Sequence, residues 1–196
     1  MRWVVDYVGE TILNNTNLSI SGGKAIVVVA LACIGLGALI GAVTNMVNAA
    51  VSPVYFQTVM KWSFHDVWTA AVAQGIMEGI IFGVLFAMVF ATGYGVVTKG
   101  RAPFSFARTL LWRILIFVLA MWTVGGVLAV SLALLSADFF HAQVPLAPKD
   151  TVELLLFAWV GGSIQGAQFG GLLCAVLGIV VARNAWNSAG ATNESA

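Results

Sequence analysis

The sequence predicts an all-α fold: a polytopic membrane protein of four transmembrane helices, arranged as two tandem duplicated helical hairpins. Three observations predict it. Charged residues make up only 9% of the 196 residues, against about 25% in a soluble domain. Those charges fall at the borders of four long apolar stretches. A set of residues in the first half of the chain also recurs in fixed register in the second.

The stretches are delimited by charge. None is present between Lys24 and Lys61, between Arg113 and Asp138, or between Glu153 and Arg183, and only Glu78 interrupts the run from Asp66 to Lys99. Each run exceeds the roughly 20 apolar residues that cross a hydrocarbon core. The expected spans are Ala25–Ala49, Val67–Val97, Leu110–Leu135 and Leu154–Ala182. Residues 24–183 then form the transmembrane domain, 1–23 a cytoplasmic N-terminal segment, and 184–196 a small, polar, disordered tail.

The N-terminal segment carries Asp6, Glu10 and three asparagines with no early apolar core, unlike a cleaved signal peptide. Trp3, Val4, Tyr7, Val8 and Ile12 recur at helical spacing, so an amphipathic helix on the membrane surface is expected there. Four spans place both termini on one side of the membrane. That side would hold Arg2, Lys24, Lys99, Arg101, Arg108, Arg113 and Arg183, the other only Lys61 and Lys149. Lys and Arg are retained in the cytoplasm, so both termini are expected inside, in the plasma or inner membrane. In the first outward connection, Ser52 followed by Pro53 reads as a helix N-cap and first helical position.

The repeat has two registers. Shifted by 84 residues, Ser21, Lys24, Gly41, Ser52 and Phe56 meet Ser105, Arg108, Gly125, Ser136 and Phe140. After a longer second loop the shift is 91, and Trp68, Gln74, Gly75 and Gly79 meet Trp159, Gln165, Gly166 and Gly170. The units run from about 21 to 98 and from about 105 to 183. Each leaves and re-enters the same side, so the two are parallel repeats about an axis along the membrane normal.

Small residues recur every fourth position: Gly75, Gly79 and Gly83 on the second span, Gly162, Gly166 and Gly170 on the fourth, with Gly37 and Gly41 on the first. Such stripes let helix backbones approach closely in lipid, within one chain or between copies. The polar residues are fewer. Gln74 and Glu78 share one flank of the second span, and Gln165 occupies the matching flank of the fourth with Gln168 nearby. Glu78 lies about 16 Å deep by helical rise, where a charge is expensive and so faces protein or water. Asn45 and Asn48, near the end of the first span, are expected to meet interfacial water.

Net charge is +1, which gives no drive toward nucleic acid. Cys33 and Cys174 lie within spans and are expected to be packing residues. His65 and His141 fall in different loops with no acid or cysteine at ligand spacing, so no metal is expected. No nucleotide-binding glycine loop, zinc-protease helix or nucleophile elbow is present, and the loops are too short to house a catalytic domain. Neither an enzyme nor a cofactor is expected. The leading expectation is a non-catalytic bundle or scaffold that partners the lipid bilayer and a second copy or another membrane protein. The alternative is a small-solute or proton transporter or channel whose path is lined by Glu78, Gln74, Gln165 and Gln168.

Overall fold

A computed structural model describes residues 22–62 and 66–193. The surface helix expected at the N-terminus, and His65, lie outside the described residues. Among the described residues six helices follow in order: α1 (Gly23–Val51), α2 (Pro53–Val59), α3 (Val67–Val97), α4 (Phe104–Leu135), α5 (Ala137–Gln143) and α6 (Thr151–Asn193). Four of them, α1, α3, α4 and the first 38 residues of α6, are long and apolar enough to cross a membrane. Among the described residues there is no strand.

The short helices are set by their caps. The Ser52 hydroxyl accepts a bond from Tyr55 N, and Pro53 follows at the first helical position, where its missing N–H costs nothing. Ser136 accepts from Phe139 N in the same way and starts α5. The long helices are also chemically delimited. Asp66 caps α3, accepting Thr69 N at 3.1 Å and the Thr69 hydroxyl at 2.5 Å. Asp150 caps α6 through Val152 N and Glu153 N.

At its far end α3 closes in a Schellman turn. Gly100 N donates to Gly95 O at 2.8 Å and Lys99 N to Val96 O at 3.2 Å, the paired bonds of that motif. Lys99 and Gly100 both have positive φ there, 51° and 66°. The Tyr94 hydroxyl donates across the turn to Pro103 O at 3.0 Å, and its ring stacks on Phe106. This tightly bonded turn is the covalent link between the two hairpins.

Two helix boundaries differ from the sequence expectation. α4 begins at Phe104 rather than Leu110, because Pro103 supplies the entry and Arg108 and Arg113 are carried within the helix. α6 continues through Arg183 to Asn193, into the segment expected to be an irregular tail.

Helices pair most closely within each hairpin, α1 with α3 and α4 with α6. Glycine makes both contacts. A methyl group added at Gly41 would strike the Gly75 carbonyl and one at Gly75 the Gly41 carbonyl, with Gly37 and Gly79 in the same reciprocal relation one turn on. One at Gly83 would lie 2.9 Å from the Ile34 Cα. In the second pair Gly125 faces Gly162 and Gly166, and Gly170 lies against the Met121 side chain. Lipid offers no hydrophobic drive between helices, so dispersion at close approach carries the pairing.

Away from these seams the helices are apolar on the outside. Leu31, Met88, Trp112, Leu128 and Phe169 are each more than three-fifths exposed, an arrangement suited to hydrocarbon rather than water. One aromatic cluster, formed by Phe90, Tyr94, Phe106 and Trp186, closes the end of the bundle at the α3–α4 turn. At the other end Phe56 and Phe140 are buried under the short helices. There the His141 ring lies between two backbone carbonyls, Nδ1 at 2.8 Å from Ala137 O and Nε2 at 2.9 Å from Pro148 O, which ties α5 to the loop before α6.

Gly79→Ala places a methyl against backbone that cannot move aside and should cost about 1–3 kcal/mol. Gly35→Ala, on an exposed position of α1 with nothing within 4 Å of the added carbon, should stay within about 0.5 kcal/mol of wild type. Reversible unfolding in detergent measures both. A second expectation concerns acid. Its two bonds from Thr69 hold the Asp66 carboxyl below the ordinary range, so the folded state binds that proton more weakly than the unfolded one. The capping contribution is then present above the ordinary carboxyl pKa of about 4 and lost as pH falls through the lower folded value. The stability gap between wild type and Asp66→Ala should narrow on acidification through that window.

Candidate functional site

The contacts between hairpins are looser than those within them, and a half-open cavity of about 130 Å³ lies where they meet. All four long helices line it. Its walls are mostly apolar, with Ile40, Phe82, Leu115, Val118 and Ile164 among them. The space exists because small residues face it. Gly171 on α6 lines the cavity, and a carbon added there would meet nothing within 4 Å.

Four polar residues share this lining: Thr44 and Asn45 on α1, Glu78 on α3, and Gln168 on α6. Thr44 donates its hydroxyl hydrogen to Ile40 O at 2.8 Å, the usual back-bond of a helical threonine. Asn45 donates Nδ2 to Ala71 O at 3.2 Å, across to the paired helix. Glu78 is half-buried, and its Oε1 accepts from Gln74 Nε2 at 2.6 Å. The other carboxyl oxygen has no hydrogen-bond partner among the described residues.

Gln74 does not line the cavity; it stands one turn from Glu78 and holds it. Its Nε2 also lies 3.5 Å from Met60 Sδ at the end of α2, while its Oε1 is buried without a protein partner. α2 therefore leans over this corner. Burial pushes the Tyr55 phenol above its ordinary range, and the Glu78 carboxylate adds to that shift. Tyr55 also packs on Phe157 at 5.0 Å between ring centres and against Gly161. Of the four polar positions singled out in the sequence, Glu78 and Gln168 line one cavity and Gln74 supports Glu78. Gln165 faces outward and is exposed.

The two asparagines correct the sequence reading. Asn48 is fully buried and Asn45 nearly so, so neither is spent on interfacial water. Asn48 meets Ser163 of the other hairpin, with Ser163 Oγ 3.1 Å from Asn48 Oδ1 and 3.0 Å from Val160 O. One hydroxyl hydrogen cannot serve both acceptors, and Asn48 Nδ2 is left buried and unpaired. Turning the amide over removes the conflict between acceptors: Nδ2 donates to Ser163 Oγ, the hydroxyl donates to Val160 O, and the amide oxygen takes the buried place without a protein partner. This buried link between hairpins was not legible in the sequence, where nothing marks Ser163 as the partner of Asn48. α5 was missed too, although its signal was present in the alignment of Ser136 with Ser52.

Trp68 and Trp159 differ in surroundings. Trp159 packs on Gly126 and meets Trp122 edge to face at 5.6 Å, whereas Trp68 is exposed. Both cysteines are buried and free. Among the described residues no three His, Cys, Asp or Glu side chains converge in a way that could hold a metal ion.

Fold and site together define a helical membrane protein with an acid-bearing cavity between its hairpins. No family model, curated protein or solved structure matches the chain.

The Asn48–Ser163 link should be measurable by a double-mutant cycle. Asn48→Ala and Ser163→Ala, singly and together, should give a coupling in unfolding near the average of about 0.6 kcal/mol found for hydrogen bonds between membrane helices, and no more than about 1.7 kcal/mol.

Proposed function

We propose that the chain binds a small solute in the cavity between its hairpins and serves as a transporter-type membrane protein, with Glu78 as the central group. The single observation that carries this reading is the placement of Glu78. An intramembrane acid in a closed scaffold would be expected to be enclosed and fully hydrogen-bonded. Here one carboxyl oxygen is spoken for by Gln74 and the residue lines a half-open space shared by all four long helices. Strong cohesion within each hairpin and weaker contact between them also suits a binding site at the seam of two units.

In this reading the hairpins descend from one duplicated unit. The Gly41–Gly75 and Gly125–Gly166 contacts occupy equivalent positions in the two registers, as do Gly37–Gly79 and Met121–Gly170. Two seven-residue helices, each capped by a serine, support the same relation. The basic residues favour cytoplasmic termini, with α2 and α5 on the outer side. A scaffold role remains as the second reading, favoured by Gln165: an exposed amide on an apolar helix face suits hydrogen bonding to another membrane helix.

Cysteine labelling in membranes tests these points, in a background where Cys33 and Cys174 are alanine. Gln168→Cys should react with a small water-soluble thiol reagent, and Phe169→Cys, next in sequence but two-thirds exposed on the outer surface, should not. Lys149→Cys should be labelled from outside intact cells and Arg101→Cys only after permeabilisation. Unreactive Gln168→Cys would indicate a sealed bundle and return the scaffold reading; reversed accessibility of the loop positions would invert the topology.

A further inference from the structure

The cavity also specifies the chemistry of its occupant, an inference that rests on the binding role just proposed. We infer that its ligand is a small organic ammonium ion with a hydrocarbon body about the size of a benzene ring.

Thr44 gives its only hydroxyl hydrogen to Ile40 O, so what it can offer a ligand is oxygen lone pairs. Asn45 commits one of its two Nδ2 hydrogens to Ala71 O, and its carbonyl has no partner among the described residues. Glu78 takes one hydrogen from Gln74, and its second oxygen is unpartnered. Three of the four polar side chains lining the cavity thus have acceptor capacity left, and one of them is a carboxyl group. Gln168 can present either end of its amide.

An acceptor patch with one acid calls for a donor that carries positive charge. A primary ammonium has three N–H donors and no acceptor, which complements this patch. Anions are disfavoured, because no Lys or Arg lines the cavity. A bare divalent ion would need six or more oxygens, more than one carboxyl, one hydroxyl and two amides supply. Sugars and other polyols would leave most of their hydroxyls against Ile40, Leu115, Val118 and Ile164, at the cost of unpaired polar groups.

The rest of the lining fixes the body of the ligand. Apolar walls favour hydrocarbon, and Phe82 and Phe86 bring aromatic rings to the same space, where a ring face attracts a cation. The volume of about 130 Å³ is close to that of an apolar cavity of about 150 Å³ that accepts benzene. An arylalkyl or short alkyl amine fits on every count.

Benzylamine and its neutral counterpart benzyl alcohol test this by calorimetric titration of the full chain in lipid nanodiscs, with empty nanodiscs subtracted. Three proteins are compared: wild type, Glu78→Gln, and Gly171→Leu, which fills the cavity from a position with open space. Wild type should bind benzylamine at least tenfold more tightly than benzyl alcohol. Glu78→Gln should erase that preference while keeping the weaker binding of the alcohol, and Gly171→Leu should lose both. Equal affinity of wild type for the two compounds, both lost in Gly171→Leu, would overturn the ammonium assignment and leave the cavity as a site. Binding of neither compound to wild type, or binding unaffected by Gly171→Leu, would overturn the site itself. The wild-type comparison decides the charge preference even if Glu78→Gln folds poorly.

Discussion

The approach of α1 to α3 at Gly41–Gly75 and Gly37–Gly79 is the constraint on which the rest of the molecule depends. Two backbones meet there with no side chain between them, and each glycine occupies the space a methyl group would need on the other. No water-driven collapse brings membrane helices together, so the energy of the hairpin comes from the number of atoms at van der Waals distance. That number is greatest where side chains are absent. The second hairpin uses the same close approach at Gly125, Gly162 and Gly166, with the Met121 side chain filling the room beside Gly170.

Such close pairing within hairpins has a consequence between them. A helix whose small residues are turned toward its partner presents larger, less interlocking residues elsewhere, and the two hairpins meet along a looser seam. The cavity occupies that seam, and Gly171 keeps it open from the α6 side. Polar groups then find a home that lipid would deny them. Glu78, Thr44, Asn45 and Gln168 are gathered at the space between units, while Asn48 and Ser163 bridge the units nearby.

Some of this was written plainly in the sequence. α3 runs over the residues Val67–Val97 that the charge pattern delimits, because Asp66 is at once a charge and the helix cap, and because Lys99 and Gly100 form the turn that ends it. Charge served less well where it sits inside a helix: Arg108 and Arg113 concealed the first turns of α4, and Arg183 the last turns of α6. Ser52-Pro53 announced α2 through purely local chemistry. The facing of polar residues was harder. Gln165 matches Gln74 in register, yet helix rotation in the bundle turns one outward and the other toward Met60 and Glu78. Asn45 and Asn48 lie near the end of their helix, where water is the obvious partner, but the partners they have come from α3 and α6. The cavity had no sequence signal at all, since a void is defined by where neighbouring helices fail to meet.

The six-residue link between hairpins gives the molecule the mechanics of a pair of tongs. The Schellman turn and the Tyr94–Pro103 bond stiffen the only covalent joint between the arms within the described bundle, and that joint lies at one extreme end. A swing of one arm by roughly 10° about it would carry the far tip of an arm roughly 40 Å long through about 7 Å, while the joint itself hardly moved. The Asn48–Ser163 bond sits toward those tips, where leverage is greatest. A single buried hydrogen bond at that distance resists splaying far better than the same bond placed beside the fulcrum.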